Sequence, residues 1–205
     1  MILSRALIAT VVLVIGSLAQ AWLVMLPDVR AQNSTEPQPV GDPTRGERIA
    51  LSCSGCHGEA GISRIAWIPS LAGMNQEAIY KQLDDYRSHR RRPEWYMGSV
   101  AQALSLQDSA DVASYYAGQA AGFVNRAPSG DSRSDIASCG KCHNPERKDV
   151  PQIAGQQPQY LEIQLSLFAQ GIRSNDRDEV MRKIARQLSG GEIRQISESL
   201  GGKSR

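Results

Sequence analysis

The sequence predicts an all-α protein built from two tandem copies of one small helical domain. Three observations point there. Apolar residues recur at helical spacing in the long segments, and no run alternates as a strand would. Stretches of the first half recur in the second, Ile68-Pro69-Ser70-Leu71-Ala72-Gly73 returning as Val150-Pro151-Gln152-Ile153-Ala154-Gly155 at an offset of 82. All 4 cysteines fall in two copies of one pentapeptide, Cys53-Ser54-Gly55-Cys56-His57 and Cys139-Gly140-Lys141-Cys142-His143.

The chain opens on a short basic stretch, Met1 to Arg5, followed by an uncharged run from Ala6 to Leu26 and by Pro27-Asp28-Val29-Arg30-Ala31. This order is that of an export signal, residues 1–31, with cleavage expected after Ala31. An uncut alternative is a membrane anchor through residues 6–26, long enough to span a bilayer with Arg5 on the cytoplasmic side. Residues 32–43, rich in Gln, Pro, Ser and Thr, have little to bury and are expected to be a disordered tether. Removing residues 1–31 takes away Arg5, Arg30 and Asp28, leaving the formal charge near neutral from a starting value of +2. Such a balance excludes a nucleic-acid footprint.

A first domain is expected over residues 44–118. A short helix from Arg45 to Ser52 leads into the first pentapeptide. Two thiols three positions apart on a helical turn can reach the two vinyl groups of one porphyrin, and the following imidazole can sit beneath its iron. Cys53 and Cys56 are therefore read as haem thioether attachments and His57 as an axial ligand. Cys139, Cys142 and His143 repeat the arrangement, so the cofactors are two covalently bound c-type haems. A thioredoxin-like redox pair would open a helix behind a strand, which is missing. A zinc site built from the four thiols would leave both histidines unexplained. Covalent haem attachment takes place outside the cytoplasmic membrane, which agrees with the export signal and places the protein in the periplasm, with anchoring to the inner membrane possible.

Beyond the Pro-x-x-Ala-Gly loop a longer helix is expected from about Gln76 to Ser88, with Ile79, Leu83 and Tyr86 on one face. Its counterpart runs from Gln157 to Gln170, with Leu161, Leu165 and Phe168. A last helix in each half begins near Ser105 or Ser189, each a good N-cap. Residues 119–131, with Gly122, Pro128 and Gly130, form a linker, and residues 132–205 the second domain. With only two Phe, each half has a meagre core of its own, and bound porphyrin must supply buried apolar surface.

The sixth iron position is assigned by the duplication. Met97 has a partner in Met181, at 40 and 38 residues from the histidines. Met74 aligns with Gln156 and His89 with Gly171, so neither has a counterpart. Met97 and Met181 are the expected distal ligands, thioethers that favour ferrous iron. Arg87, Arg90, Arg91 and Arg92 read as a solvated basic loop, with propionate neutralisation or an acidic partner as alternatives. Tyr80 and Tyr160 are candidates for propionate bonding or simple helix packing, and Trp67 and Trp95 for the haem edge or loop anchoring.

Taken together, the Pro-x-x-Ala-Gly loop, Tyr80-Lys81-Gln82-Leu83 with Tyr86-Arg87, and Met97 through Ser105 resemble the two-haem class I cytochromes of the cytochrome c4 family. The second half resembles it through Pro151, Ala154, Gly155, Tyr160, Gln164, Leu165, Met181, Ile184, Ala185, Leu188 and Ser189. The resemblance spans about residues 44–202. It implies two class I cytochrome c domains with their haem edges close together. It implies a periplasmic carrier between a quinol-oxidising or dehydrogenase complex and a terminal oxidase or reductase. It also implies that the Pro69 and Pro151 carbonyls accept the second ring N–H of each histidine. Asn144, where the family has Gly, and the absence of a second Tyr115-Tyr116 pair depart from the pattern. No catalytic residue is expected. A fixed electron-relay subunit of a membrane complex, and less so a two-haem peroxidase, are the alternatives. The peroxidase would need one open iron.

Overall fold

Asp42 opens the first helix. Its carboxylate accepts from the N–H groups of Thr44 and Arg45, and Pro43 has no N–H to leave unsatisfied. Helix α1 (Pro43–Ala50) therefore starts two residues before the expected Arg45. The structure, a computed structural model, describes residues 38–120 and 138–201. The proposed signal or anchor and most of the linker lie outside the described residues.

The expected boundary at residue 44 falls inside the packed region. The Asp42 N–H donates to Asp111 Oδ1 at 2.7 Å and Gln107 Nε2 donates to the Val40 carbonyl at 2.8 Å. Both fasten the chain to α5 (Leu106–Gly118), the last helix of the first half. Helices α1 and α5 approach so closely that a Cβ on Gly46 would stand 2.0 Å from the Asp111 carbonyl oxygen. Only glycine allows that crossing. Buried Asp111 also takes Arg45 Nε at 2.7 Å. Burial works to raise its pKa, but the bonds from Arg45, the Asp42 amide and Gln107 outweigh it and hold the carboxyl below its ordinary value.

Past the Cys53 turn the order is α2 (Ser54–His57), a 3-10 turn (Glu59–Gly61), α3 (Gln76–Arg87), α4 (Trp95–Gln102) and α5. The second half repeats it with α6 (Pro158–Ala169), α7 (Val180–Ala185) and α8 (Gly190–Leu200). No strand occurs among the described residues, as the sequence predicts. Ser105 and Ser189 are the caps of α5 and α8, each in a full capping box, with Asp108 and Glu192 reaching back. The short helices α4 and α7 were not legible as helices, because each is brief and follows a strained turn. Trp95 (φ +41) and Glu179 (φ +60) take left-handed backbone two residues before Met97 and Met181.

The first core gathers Ala50, Ile79, Leu83, Tyr86, Ala101, Val112, Ala113 and Tyr116, with Tyr116 Oη donating to the Ala50 carbonyl at 3.5 Å. Among the described residues the second gathers Leu161, Ile196 and Leu200, with Ile153, Tyr160, Leu165 and Leu188 packed against them, and α8 carries no tyrosine pair. Cores this small cannot carry two domains on hydrophobic burial alone.

Polar side chains join the two halves reciprocally. Asn75 Nδ2 donates to the carbonyls of Arg147 (2.7 Å) and Val150 (2.9 Å), while Gln157, its equivalent, donates from Nε2 to the Ser63 carbonyl at 2.7 Å. The Tyr160 N–H donates to the Ala66 carbonyl at 3.1 Å. Residue i of one half reaching j of the other, and the reverse, is the signature of a two-fold relation.

Candidate haem sites

In both pentapeptides the backbone folds as the same single turn. The N–H groups of Cys56 and His57 point back to the Cys53 carbonyl at 3.2 and 3.0 Å, and those of Cys142 and His143 to the Cys139 carbonyl at 3.2 and 2.9 Å. That turn sets the two thiols of each motif on one side and carries the imidazole past them. None of the four cysteines is in a disulfide, and Cys56 and Cys142 are exposed. Among the described residues no three His, Cys, Asp or Glu side chains gather as a zinc site needs.

The imidazoles are oriented from the neighbouring loop. His57 Nδ1 lies 2.8 Å from the Pro69 carbonyl oxygen and His143 Nδ1 lies 2.7 Å from that of Pro151. A carbonyl only accepts, so Nδ1 carries the proton and Nε2 keeps its lone pair, the form a metal-bound histidine needs. Nε2 of neither histidine has a hydrogen-bond partner among the described residues. Burial lowers the pKa of both rings against the opposing effect of the carbonyls, and Arg147 and Arg173 lower His143 further. Each loop is tied to the end of its half's last helix, Gly73 N–H to the Tyr116 carbonyl at 2.8 Å and Gly155 N–H to the Leu200 carbonyl at 2.6 Å.

The segment between histidine and proline is longer in the first half, where the extra residues form the 3-10 turn. Gly58 takes φ +79 there, and a Cβ would stand 1.9 Å from the Ile62 carbonyl oxygen. The shorter second loop turns with a side chain instead. Asn144 Oδ1 accepts from the N–H groups of Glu146 and Arg147, which explains why asparagine replaces glycine after the second histidine.

Met97, in the first turn of α4, packs on the same apolar cluster as Cys53. Met181 is half-buried in the first turn of α7, a helix anchored by Arg182 Nε to Asp176 Oδ1 at 2.7 Å. Large apolar side chains that the polypeptide itself leaves exposed include Leu51, Ile62, Trp95 and Tyr96 in the first half and Val180 and Ile184 in the second. Neutral imidazole, thioether, paired thiols and an apolar surround form a donor set that fits haem.

The remaining candidates separate. Met74 lies at the seam, 4.0 Å from Gln156 Nε2. His89 is exposed, its Nδ1 2.9 Å from Glu94 Oε1. Tyr160 stands three residues past the cap of its helix and Tyr80 five, so the two are not equivalents. Trp67 is exposed. The arginine run is not one solvated loop. Arg87 and Arg90 pair with Asp84, Arg90 also with Asp85 and Arg92 with Glu94, but Arg91 is buried at the seam. Sequence reasoning named Arg91 only as part of the basic run, without its burial, and missed its equivalent Arg173. The 82-residue offset that pairs them was the available signal.

No family model matches the chain. Cytochrome c4 of Thiocapsa roseopersicina is 34% identical over 183 residues, covering 80% of this chain and 94% of that protein. The thiosulfate dehydrogenase electron acceptor of Stutzerimonas stutzeri is 34% identical over 167 residues, covering 73% and 77%. The crystal structure of reduced recombinant cytochrome c4 from Pseudomonas stutzeri superposes with a TM-score of 0.67 at 27% identity, covering 80% of this chain and 99% of that one. A helical fold of this shape, duplicated around two such turns, defines a two-haem electron-transfer cytochrome with class I c-type domains. The chain belongs to the cytochrome c4 family and carries two covalently attached c-type haems.

Proposed function

We propose that this chain is a periplasmic electron carrier, taking electrons from a quinol-oxidising or dehydrogenase complex and delivering them to a terminal oxidase or reductase. The observation that carries the reading is the matched pair of carbonyl-held imidazoles, His57 on Pro69 and His143 on Pro151, each ending a Cys-x-x-Cys-His turn. Bound haem supplies one-electron exchange at iron. The protein's part is to hold it: Cys53, Cys56, Cys139 and Cys142 as thioethers, His57 and His143 as proximal ligands, Met97 and Met181 as distal ligands. His–Met coordination by these residues would leave no iron position for substrate, which favours transfer over peroxidase chemistry. The two folding units run over residues 44–118, extended back to Val40, and 132–205, joined by residues 119–131.

A dehydrogenase as donor is favoured by the likeness to proteins named as thiosulfate dehydrogenase electron acceptors. A relay held permanently on such an enzyme uses the same haems. The deciding experiment is a haem count with ligand challenge. Pyridine haemochrome and mass spectrometry should give two haems per mature chain and locate the N-terminal cut, and neither reduced haem should bind carbon monoxide. Zinc, a single haem, or an open iron in the native protein would overturn the carrier reading.

A further inference from the structure

Tyr116, near the end of α5, is 1% exposed, and its ring reaches back to the first haem turn. Its hydroxyl lies 3.5 Å from the Ala50 carbonyl oxygen, and the Cys53 N–H donates to that same oxygen at 2.9 Å. The phenol is thereby set where the Cys53 turn begins, and Cys53 packs on the cluster that contains Ala50 and Tyr116. At 3.5 Å the carbonyl is a poor acceptor for a hydroxyl, whose good bonds run to about 2.7–2.8 Å. A buried tyrosine hydroxyl needs a better partner. The Cys53 sulfur is within its reach, and each group is felt by the other. Burial raises the Cys53 thiol while bonds from Ser52 and from Tyr116 work against it, and burial followed by Cys53 raises the Tyr116 phenol.

The ring is wedged in place by the loops around the haem histidine. Gly61, at φ +83 in the 3-10 turn after His57, lies so close that a Cβ there would stand 2.7 Å from Tyr116 Cδ1 and 2.8 Å from Cε1. The Tyr116 carbonyl accepts from Gly73 of the Pro-x-x-Ala-Gly loop at 2.8 Å. Leu200 holds the equivalent position in the second half, at an offset of 84, its carbonyl taking the Gly155 N–H in the same way. Leucine has no hydroxyl to give. The shorter segment after His143 also has no 3-10 turn among the described residues, so the wedge and the donor occur together in the first half.

We infer that the Tyr116 hydroxyl donates to the Cys53 sulfur when that sulfur is the haem thioether, and that this bond raises the reduction potential of the first haem. The inference rests on the two-haem reading. A thioether sulfur has no hydrogen of its own and only accepts, so the phenol is the donor. The positive end of its O–H dipole then faces the edge of the macrocycle in a buried place, where water does not screen it. Ferric iron carries one more positive charge than ferrous, so the dipole disfavours the oxidised form. Two haems with the same set of ligands are in this way made unlike by a group that touches one of them.

The test uses the full-length haem-loaded protein. Pyridine haemochrome comes first, because a wild type without two haems fails the two-haem reading rather than this bond. With two haems present, Tyr116→Phe, which keeps the ring and removes the hydroxyl alone, should lower one midpoint potential in spectroelectrochemistry and leave the other in place. Tyr116→Leu, the residue of the second half, should lower the same one, and Tyr115→Phe should move neither. Unchanged or raised potentials in Tyr116→Phe would overturn the inference. They would do so even where Tyr116→Leu shifts a potential, since the ring and not the hydroxyl would then be at work. An equal fall at both haems would overturn it too, because the bond is local to the first half. If Tyr116→Leu does not accumulate, Tyr116→Phe decides on the same terms.

Discussion

The side chain of Gln156 closes a ring of two hydrogen bonds with the backbone of Ser70: the Ser70 N–H donates to Oε1 and Nε2 donates to the Ser70 carbonyl, both at 2.9 Å. Ser70 follows Pro69, whose carbonyl orients His57. An amide from the second half thus steadies the loop that aims an imidazole of the first.

Gln156→Ala should therefore cost about 2–3 kcal/mol in urea unfolding of the haem-loaded protein, because it strands a buried N–H and a buried carbonyl. Hydrogen exchange at the Ser70 amide should rise with it. An unchanged midpoint and unchanged protection would mean that the ring is dispensable.

Met97→Ala and Met181→Ala should each open one iron to carbon monoxide and lower that haem's potential, since a ligand that favours ferrous iron is lost. Met74→Ala and His89→Ala should do neither. Met74 sits against Gln156 at the seam and His89 is exposed beside Glu94. Carbon monoxide binding by the Met74 variant would reassign the ligand.

Asp111→Ala should cost about 2–3 kcal/mol at pH 7, since the Asp42 N–H and the Arg45 guanidinium lose a buried charged acceptor. The folded pKa of Asp111 is depressed, so this stabilisation is complete above the unfolded value of about 3.9 and disappears as pH falls through the lower folded value. Urea midpoints of wild type and variant should begin to converge as pH falls below about 4. A deficit that stays constant down to pH 2 would mean the carboxylate's charge contributes nothing.

Oxidation by the partner should depend only modestly on ionic strength. Arg90 and Arg92 are matched by Asp84, Asp85 and Glu94, and Arg91 is buried, so the run presents little free charge. Stopped-flow rates across a salt series check this. A steep decline that Arg90→Gln and Arg92→Gln together abolish would establish a docking patch.

The haem turns, the Pro-x-x-Ala-Gly loop and the capped last helices were legible because spacing alone dictates them. Cys-x-x-Cys-His admits one chemistry well, and serine with an acid three residues on is a local cap signal. The duplication was legible too, and it carried the methionine assignment. What stayed hidden depends on distance across the fold. Nothing local marks Arg91 as buried rather than solvated, because its neighbours Arg90 and Arg92 do face solvent. Gly46 is required only by a carbonyl 65 residues further on, that of Asp111. Val40 and Asp42 read as tether until Gln107 and Asp111 are placed against them.

Met74 and Gln156 occupy the same position in the two copies and touch each other. A residue close to a two-fold axis meets its own duplicate, so before the copies diverged this position would have faced itself, like on like. With both copies in one chain the two occupants can differ, and Gln156 supplies an amide that serves the other half's backbone. The halves are thereby no longer interchangeable: pairing two first halves would leave Ser70 without its partner. At that contact the repeat has become a lock with a left and a right part.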